Sequence, residues 1–466
     1  MGKTLIERLA AVPIVGTDYR PFSIAPYGDT VAFEWRSGGD WQLYTVDSRG
    51  AAPPQRLLCI DDPCGCPKYS ADGRYLYFAR DDQGSECFDF YRYELATGTV
   101  ENLLADTPDL SPNPDLQLSP DGEALLFLRD DAGQTSLLHL ELRTRELRDL
   151  SVGPGTHYHP RFTPDGGAVI VALSAPGIPS DLFRLDLADG RVTRLTRGLP
   201  DDLAGRDFAH GQHVHYRSLD LLAEVPALLF RPREHNGGGV VIIHGGPTWH
   251  HANEWDPLRE AFLDAGFMVV HPNYRGSDGY GRRWQLASRY LCGQGEAQDC
   301  AGAHAFLLAM GCDPGRIAVT GRSHGGYLTA QMLTQFPGLW AAGVAGVPFF
   351  DHIDAQVDPA VREDLRWWDR ENTGDLIKDR ARLEYYSPIN HLDRVSAPLL
   401  ILAAARDPRC PTRLVGKVVD TLRAAGQVCE AHIYPDEGHE ISGVENHVDY
   451  DRRTVEFILQ HTGVSG

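Results

Sequence analysis

The chain has 466 residues, of which 42% are hydrophobic and 23% are charged, and its formal net charge is −20. A chain of this length is expected to form two or three domains with a large core. The negative charge argues against nucleic acid or an anionic membrane as a partner, since both require clustered lysine and arginine.

The N-terminal residues and the cysteines favour a cytoplasmic location. Residues 1–15 lack the apolar segment and cleavage site of a secretory signal, and no run of apolar residues is long enough to span a membrane. An odd number of cysteines in a long chain is typical of a reducing compartment. Cys59, Cys64, Cys66 and Cys87 are close in sequence but form only one C-x-C pair, so ordinary thiols are favoured over a zinc site. We expect neither a metal nor a cofactor.

The first part of the chain is repetitive. Residues 4–11 predict a short amphipathic helix within an N-terminal extension, residues 1–18. Residues 19–205 then contain four versions of one turn, whose glycines are 45, 49 and 44 residues apart, at Gly28, Gly73, Gly122 and Gly166. Strand patterns follow the turns, as at 75–79, 88–95, 124–128, 168–173, 181–187 and 192–196. Four strands in about 45 residues are typical of a β-propeller blade. We predict a small propeller of about four blades, with a β-sandwich as the alternative.

Residues 206–466 have a different pattern, in which strands alternate with helices. The domain boundary is expected within residues 199–212. Alternation of this kind predicts an α/β domain with a doubly wound, mostly parallel sheet. Functional groups in such sheets lie at the carboxyl ends of the strands. The predicted strands are 239–244, 267–271, 317–320, 341–347, 399–404 and 430–434, and the predicted helices are 257–265, 301–310, 327–336 and 412–425.

A G-x-S-x-G sequence, G-R-S-H-G at residues 321–325, lies between a predicted strand and a predicted helix. This context is typical of the nucleophile elbow of α/β-hydrolases, a sharp turn that exposes a serine hydroxyl. Side chains in place of Gly321 or Gly325 would collide with the facing strand and helix. We therefore interpret Ser323 as a nucleophile rather than as part of a surface turn.

A serine nucleophile needs a base, and the base needs an orienting acid. In α/β-hydrolases the acid and then the histidine follow the serine along the chain. Asp407 comes just after the apolar strand 399–404, and His439 follows the strand that ends at residue 434. Asp393 and Asp369 are less well placed. The sequence therefore predicts Ser323, Asp407 and His439 as a catalytic triad.

An oxyanion that forms during acyl transfer requires backbone donors. The N–H of His324, directly after the nucleophile, is one candidate. His244 begins an H-G-G-P sequence after an early strand, which is similar to the HGGG pattern of esterases and lipases. The N–H of Gly246 is therefore the second candidate.

Several motifs together resemble the prolyl oligopeptidase family of serine peptidases, in particular its acylaminoacyl-peptidase branch. They are H-G-G-P at 244–247, P-N-Y-R-G-S at 272–277, G-R-S-H-G-G-Y at 321–327, D-P-R-C-P at 407–411 and Y-P-D-E-G-H at 434–439. The resemblance implies the same triad and oxyanion hole, together with a propeller that covers the active site and excludes folded proteins. Family propellers usually have seven blades. The four repeats therefore indicate either a smaller propeller or an incomplete one that another subunit completes.

The expected reaction is hydrolysis of short peptides through an acyl-enzyme. The segment after residue 347 is expected to line an apolar pocket, with Phe349, Phe350, Trp367 and Trp368 as candidates. Tyr274, earlier in the chain, is a further candidate, and all five residues could instead belong to the core. Arg409 is a candidate for binding a substrate carbonyl or carboxylate, or for a loop salt bridge. A carboxylesterase of the same fold, and a propeller-based binding protein with an inactive hydrolase domain, remain as alternatives. The sequence leaves the oligomeric state open.

Overall fold

The computed structural model describes residues 14–15, 22–36, 41–57, 62–81, 88–107, 110, 112–131 and 133–463. The chain divides into two compact units, Met1–Gly205 and Arg206–Gly466. The helix expected at residues 4–11 lies outside the described residues, as do Cys59 and Cys87. None of the described helices combines the length and the apolar character needed to cross a membrane.

The N-terminal unit consists of antiparallel strands in four consecutive sets. Strands β1–β5 form one sheet, β6–β9 a second and β10–β17 a third, in which β12 and β14 are joined by a single parallel pair, Thr135 with Thr156. This third sheet therefore contains two four-stranded sets, β10–β13 and β14–β17. The strands are β1 (Ile14–Val15), β2 (Ser23–Ile24), β3 (Thr30–Arg36), β4 (Trp41–Asp47), β5 (Gln55–Arg56), β6 (Cys64–Tyr69), β7 (Tyr75–Asp81), β8 (Phe88–Glu94), β9 (Val100–Asn102), β10 (Gln117–Leu118), β11 (Ala124–Asp131), β12 (Gln134–Glu141), β13 (Leu147–Asp149), β14 (Thr156–Phe162), β15 (Ala168–Ala175), β16 (Ile178–Asp186) and β17 (Val192–Arg194).

The repeated turn has the same hydrogen bonds in three of the sets. In the turn before β7, the Ser70 hydroxyl donates to Asp72 Oδ1 at 2.6 Å and accepts from the Tyr75 N–H at 2.9 Å. Ser119 and Thr163 make the equivalent bonds before β11 and β15. The glycine after each aspartate has a positive φ, between 68° and 76°, which explains why the sequence repeats a glycine there.

Consecutive sets pack against each other through separate apolar clusters. Leu43 of the first set contacts the cluster formed by Leu76 and Phe78 of the second. The second and third sets share a cluster that includes Phe90 and Phe127, whose rings are 5.1 Å apart. A further cluster joins the third set to the fourth. The core of this unit is therefore built between neighbouring sets along the chain.

The C-terminal unit contains one eight-stranded sheet in the order β18-β19-β21-β20-β22-β23-β24-β25. The pairs β18–β19 and β19–β21 are antiparallel, and every other pair is parallel. The carboxyl ends of β20, β22, β24 and β25 therefore lie along one edge. The strands are β18 (Gln212–Arg217), β19 (Glu224–Phe230), β20 (Gly239–Ile243), β21 (Met268–Pro272), β22 (Ile317–Arg322), β23 (Gly343–Gly346), β24 (Leu399–Ala404) and β25 (Cys429–Tyr434).

Helices connect the parallel strands, and apolar clusters cover both faces of the sheet. Alternate residues of β20 show the two faces, since Val241 and Ile243 join one cluster while Val240 and Ile242 join the other. This pattern is what a sheet buried on both sides requires. The described helices are α1 (Pro257–Asp264), α2 (Arg282–Gln285), α3 (Gly295–Ala309), α4 (His324–Gln335), α5 (His352–Val357), α6 (Glu363–Asn372), α7 (Arg380–Tyr385), α8 (Val415–Ala424) and α9 (Val444–Thr462).

Candidate active site

Ser323 lies in the sharp turn between β22 and α4. Its φ is 58° and its ψ is −120°, a conformation that residues with a side chain rarely adopt. The turn places this residue at the carboxyl edge of the sheet, directly before the first turn of the helix. The geometry is that of a nucleophile elbow.

Close backbone approaches explain the glycines around Ser323. A Cβ on Gly321 would lie 2.6 Å from the carbonyl oxygens of Ile243 and Gly325. A Cβ on Gly325 would come against the carbonyl oxygens of Ile243 and His244. The helix and β20 are therefore packed too tightly for a side chain, as the sequence analysis expected.

Asp407 and His439 form a direct pair at the same edge of the sheet. His439 Nδ1 is 2.7 Å from Asp407 Oδ2, and both residues are buried. The other carboxylate oxygen of Asp407 accepts the backbone N–H groups of Arg409 and Cys410, at 2.8 and 2.9 Å. Because one oxygen is held by the loop, the second is fixed toward the imidazole. This arrangement leaves Nε2 of His439 to take up a proton.

Further contacts connect the serine turn to the loops that carry Asp407 and His439. Arg322, the residue before the serine, donates from Nη2 to the carbonyl oxygens of His439 and Glu440, at 3.3 and 2.7 Å. Burial raises the pKa of the Cys410 thiol well above its usual range, and a hydrogen bond with the Ser323 side chain opposes this rise. The thiol of Cys410 therefore lies beside the serine hydroxyl, a contact that the sequence analysis missed.

The loop after β20 has a fixed conformation next to this edge. His244 Nδ1 donates to the Gly245 carbonyl oxygen at 2.6 Å, and its Nε2 accepts from the Ser277 hydroxyl at 2.8 Å. The hydroxyl of Tyr274 donates to the His244 carbonyl oxygen at 3.2 Å. Gly246 has a φ of 123°, and a Cβ there would lie 2.7 Å from the Thr248 nitrogen. The loop can therefore present the Gly246 N–H only if this residue is glycine.

The side chain of His324 points away from the serine and into the protein. Its Nε2 is 3.1 Å from Oε1 of Glu296, a carboxylate with no exposed surface. The second oxygen of Glu296 accepts the N–H of Gly293. Since α4 begins at His324, its N–H is in the first helical turn, where backbone donors have no acceptor within the helix. Glu296 thus contacts the residue that carries one candidate oxyanion donor, and no motif in the sequence singled it out.

The candidates for an apolar pocket have different environments. Phe349 is half-buried and stacks on Tyr327 with ring centroids 4.4 Å apart. Phe350 and Tyr274 are buried in the core, so they pack within the unit and do not line an open pocket. Arg409 is 46% exposed, and its Nη1 is 3.3 Å from Glu440 Oε1, a weak surface ion pair. The side chains of Trp367 and Trp368 lie outside the described part of the structure.

Three histidines lie close together at the loop after β20, of which His244 and His271 are buried and His251 is partly buried. The rings of His251 and His271 are 4.1 Å apart, and those of His244 and His251 are 5.3 Å apart. Burial, together with neighbouring positive or titratable groups, holds the pKa of each well below its usual value. These histidines are therefore neutral near neutral pH.

Comparison with known proteins finds a family match in the C-terminal part of the chain. Residues 254–465 match the model of the prolyl oligopeptidase family. This match covers most of the C-terminal unit. Curated relatives of the chain include dipeptidyl aminopeptidase BIII of Pseudoxanthomonas mexicana, 26% identical over 413 residues, which are 84% of this chain and 58% of that protein. The acylamino-acid-releasing enzyme of Mus musculus is 25% identical over 457 residues, 92% of this chain and 61% of that enzyme. The chain thus spans about three fifths of these relatives.

Solved structures of two peptidases have a similar fold. A puromycin-hydrolyzing peptidase of Mycobacterium tuberculosis superposes with a TM-score of 0.85 at 22% identity, covering 97% of this chain and 71% of that one. The acylaminoacyl peptidase of Pyrococcus horikoshii superposes with a TM-score of 0.78 at 21% identity, covering 95% and 70%. These likenesses extend over both units of the chain and show a shared fold.

Proposed function

We propose that this chain is a serine peptidase that hydrolyses short peptides through an acyl-enzyme. The observation that carries the proposal is the 2.7 Å hydrogen bond between His439 and Asp407, at the sheet edge that also presents Ser323 on a strained turn. The family match of residues 254–465 supports it, as do relatives named as acylamino-acid-releasing enzyme and dipeptidyl aminopeptidase.

In the proposed reaction, His439 transfers a proton from the nucleophile to the leaving group. His439 Nε2 takes the proton of the Ser323 hydroxyl while the oxygen attacks the peptide carbonyl. Asp407 holds the imidazole by Nδ1 and balances the positive charge that forms on the ring. The histidine then gives the proton to the leaving amine. Water repeats the sequence on the acyl-enzyme and releases the acid.

The oxyanion is proposed to be held by the N–H groups of Gly246 and His324. Both belong to backbone segments that close packing fixes in place, so they need no reorganisation during the reaction. The amide of His324 also benefits from the positive end of the α4 dipole. Removal of one such donor typically costs about a hundredfold or more in turnover.

The N-terminal sets are proposed to be blades of a β-propeller. Four consecutive antiparallel sets, each packed on the next, support this architecture. The chain offers enough strands for about four blades, and either a small closed ring or completion by another copy is compatible with them. Light scattering and an experimental structure would separate the two, since completion by another copy requires a stable oligomer.

Replacement of the nucleophile is the direct test of the proposed activity. Ser323→Ala should lower the hydrolysis of N-blocked peptide substrates by several orders of magnitude, because no other group supplies the attacking oxygen. Ser442→Ala removes an exposed hydroxyl three residues after His439 and should keep its activity. Undiminished hydrolysis by Ser323→Ala would refute the proposal.

Two further measurements separate the alternatives. A fluorophosphonate probe should label Ser323 in the native chain and fail to label the alanine variant, whereas an inactive binding protein would remain unlabelled. The ratio of rates on N-blocked peptides and on p-nitrophenyl esters distinguishes a peptidase from a carboxylesterase. Hydrolysis of esters alone would assign the esterase activity to this fold.

A further inference from the structure

Cys410 places a thiol inside the candidate active site. It lies three residues after Asp407, is only 6% exposed, and donates its N–H to Asp407 Oδ1 at 2.9 Å. One donor atom from each of Asp407, Cys410 and His439 lies within 4.8 Å of the other two. The proposed peptidase mechanism has no use for the sulfur, so its position requires another explanation.

These three side chains form a donor set that suits a thiophilic cation. Thiolate, imidazole and carboxylate are the ligands that Zn²⁺ takes in proteins, and sites with three protein ligands keep one position open for water. Soft thiolate ligands also favour Cd²⁺ over Mg²⁺ or Ca²⁺, which prefer oxygen. All three residues are buried, so the surroundings exclude most competing water.

We propose that Asp407, Cys410 and His439 form an inhibitory site for Zn²⁺ and chemically similar cations. On binding, the thiol of Cys410 releases its proton to solvent and a metal–sulfur bond forms. His439 binds as the neutral imidazole, with its proton on the ring nitrogen that does not coordinate the cation, and Asp407 binds as the carboxylate; coordination replaces the hydrogen bond between them. No electron transfer takes place, and the original state returns when a chelator removes the cation.

Occupancy of this site would stop the proposed reaction. A histidine that gives its lone pair to a metal ion cannot accept the proton of Ser323, and a bound cation withdraws Asp407 from its orienting role. Inhibition by the bound cation rests on the proposed function, whereas binding of the cation does not. The two can therefore be tested separately.

A second group offers the nearest competing site in the described part of the chain. Cys292, Glu296 and His324 also bring one donor atom each within 4.8 Å of the others. As with Asp407 in the first group, both oxygens of Glu296 have partners, His324 and the N–H of Gly293, so the experiment has to distinguish the two groups. Variants of Cys292 therefore belong in the experiment as the matched control, since the residue is also a buried thiol.

Binding is measured without reference to activity. Ser323→Ala, which retains all three proposed ligands, is titrated with Cd²⁺ while the ultraviolet absorption of cadmium thiolate is recorded. We expect a cadmium-thiolate signal that disappears in Ser323→Ala/Cys410→Ser and persists in Ser323→Ala/Cys292→Ser. A signal that survives Cys410→Ser, or that is lost with Cys292→Ser instead, overturns the proposal.

Inhibition is measured on chains with an intact Ser323. Zn²⁺ should inhibit peptide hydrolysis reversibly, with recovery after EDTA. Loss of an outer partner of a metal site already costs about ten- to hundredfold in affinity. Cys410→Ser should therefore raise the half-inhibiting Zn²⁺ concentration by more than about tenfold, relative to its own metal-free rate, and Cys292→Ser should not. Binding of the cation without inhibition of peptide hydrolysis would overturn the inhibitory role. A chain that hydrolyses no peptide even in the absence of metal would contradict only the peptidase proposal.

Discussion

At the scale of single residues, the turn around Ser323 depends on glycines that have no room for a side chain. A backbone held in a rarely populated region costs about 1–3 kcal/mol, and it persists only where the surroundings impose it. Here β20 and α4 impose it from both sides, through Gly321 and Gly325. The geometry of the serine is therefore maintained by its neighbours.

Gly325→Ala tests this dependence. The new methyl group would meet the carbonyl oxygens of Ile243 and His244, so we expect a loss of about 1–3 kcal/mol in the free energy of unfolding and a more than tenfold loss of activity. Urea denaturation and peptide hydrolysis are the measurements.

Gly416→Ala is the control, because this exposed position in α8 has open space around it. The higher helix propensity of alanine should stabilise the chain by up to about 1 kcal/mol without affecting activity. Equal losses in the two variants would contradict the explanation by close packing.

Single residues also show where sequence reasoning ends. Ser323, Asp407 and His439 were predicted because each follows a recognisable strand in the expected order. Glu296 and Cys410 were missed because their contacts join segments whose proximity only the fold creates. Aromatic residues such as Phe350 were left open between a pocket and the core, because the sequence does not distinguish a core ring from an exposed one.

At the scale of elements, a buried ion pair attaches helix α3 to the turn after β21. Arg275 Nη2 is 2.7 Å from Asp299 Oδ1, and its backbone N–H donates to Oδ2 at 2.7 Å. Asp220 accepts from the same guanidinium at 2.7 Å. Because Asp299 has no exposed surface, its charge depends on Arg275.

Asp299→Asn should destabilise the chain by about 1.5–3 kcal/mol, since it removes charged hydrogen bonds to Arg275, which keeps Asp220 as its remaining carboxylate partner. Urea denaturation measures the change. Glu94→Gln removes the partner of Arg74 in an ion pair whose guanidinium is 59% exposed, and its effect should be small because solvent screens such pairs. A similarly small effect of Asp299→Asn would show that the buried ion pair is not required for the stability of the chain.

Elements were predicted well where apolar residues form an uninterrupted pattern. The strand predicted at 399–404 coincides with β24. Helix α3 begins at Gly295, six residues before the predicted start, because its first turns bury the polar Glu296 and Asp299. Helix α4 begins at His324 although Gly325 and Gly326 disfavour helix formation. Tertiary contacts therefore override local pattern at the very elements that build the site.

At the scale of the whole molecule, the three neighbouring histidines at the loop after β20 connect stability to pH. The folded pKa values of His244, His251 and His271 lie below the ordinary value of 6.5, mainly because of burial. Below pH 6.5 the unfolded chain therefore binds protons that the folded chain does not. The contribution of these histidines to the free energy of unfolding is therefore fully present above this pH. It falls as the pH decreases, by about 1.4 kcal/mol for each histidine at pH 5.5.

His271→Phe should reduce this pH dependence. Neither ring nitrogen of His271 has a hydrogen-bond partner among the described residues, and the ring packs against Phe230, so an apolar ring suits the position. The measurement is the difference in unfolding free energy between about pH 7.5 and about pH 5.5. His447→Gln, at a ring that is 41% exposed, is the control. An unchanged difference in His271→Phe would exclude this histidine as a source of acid sensitivity.

The successive packing of the N-terminal sets has a consequence for how this unit folds. Three of the sets close their own turn through a hydroxyl and a carboxylate, and among the described residues the apolar clusters join each set to its neighbours along the chain. Arrays of this type behave as nearly one-dimensional systems, in which order nucleates at several points and spreads between neighbours. Native-state hydrogen exchange should therefore reveal graded protection, with terminal strands opening in small fluctuations while the amides of the central hairpins, β7–β8 and β11–β12, exchange last.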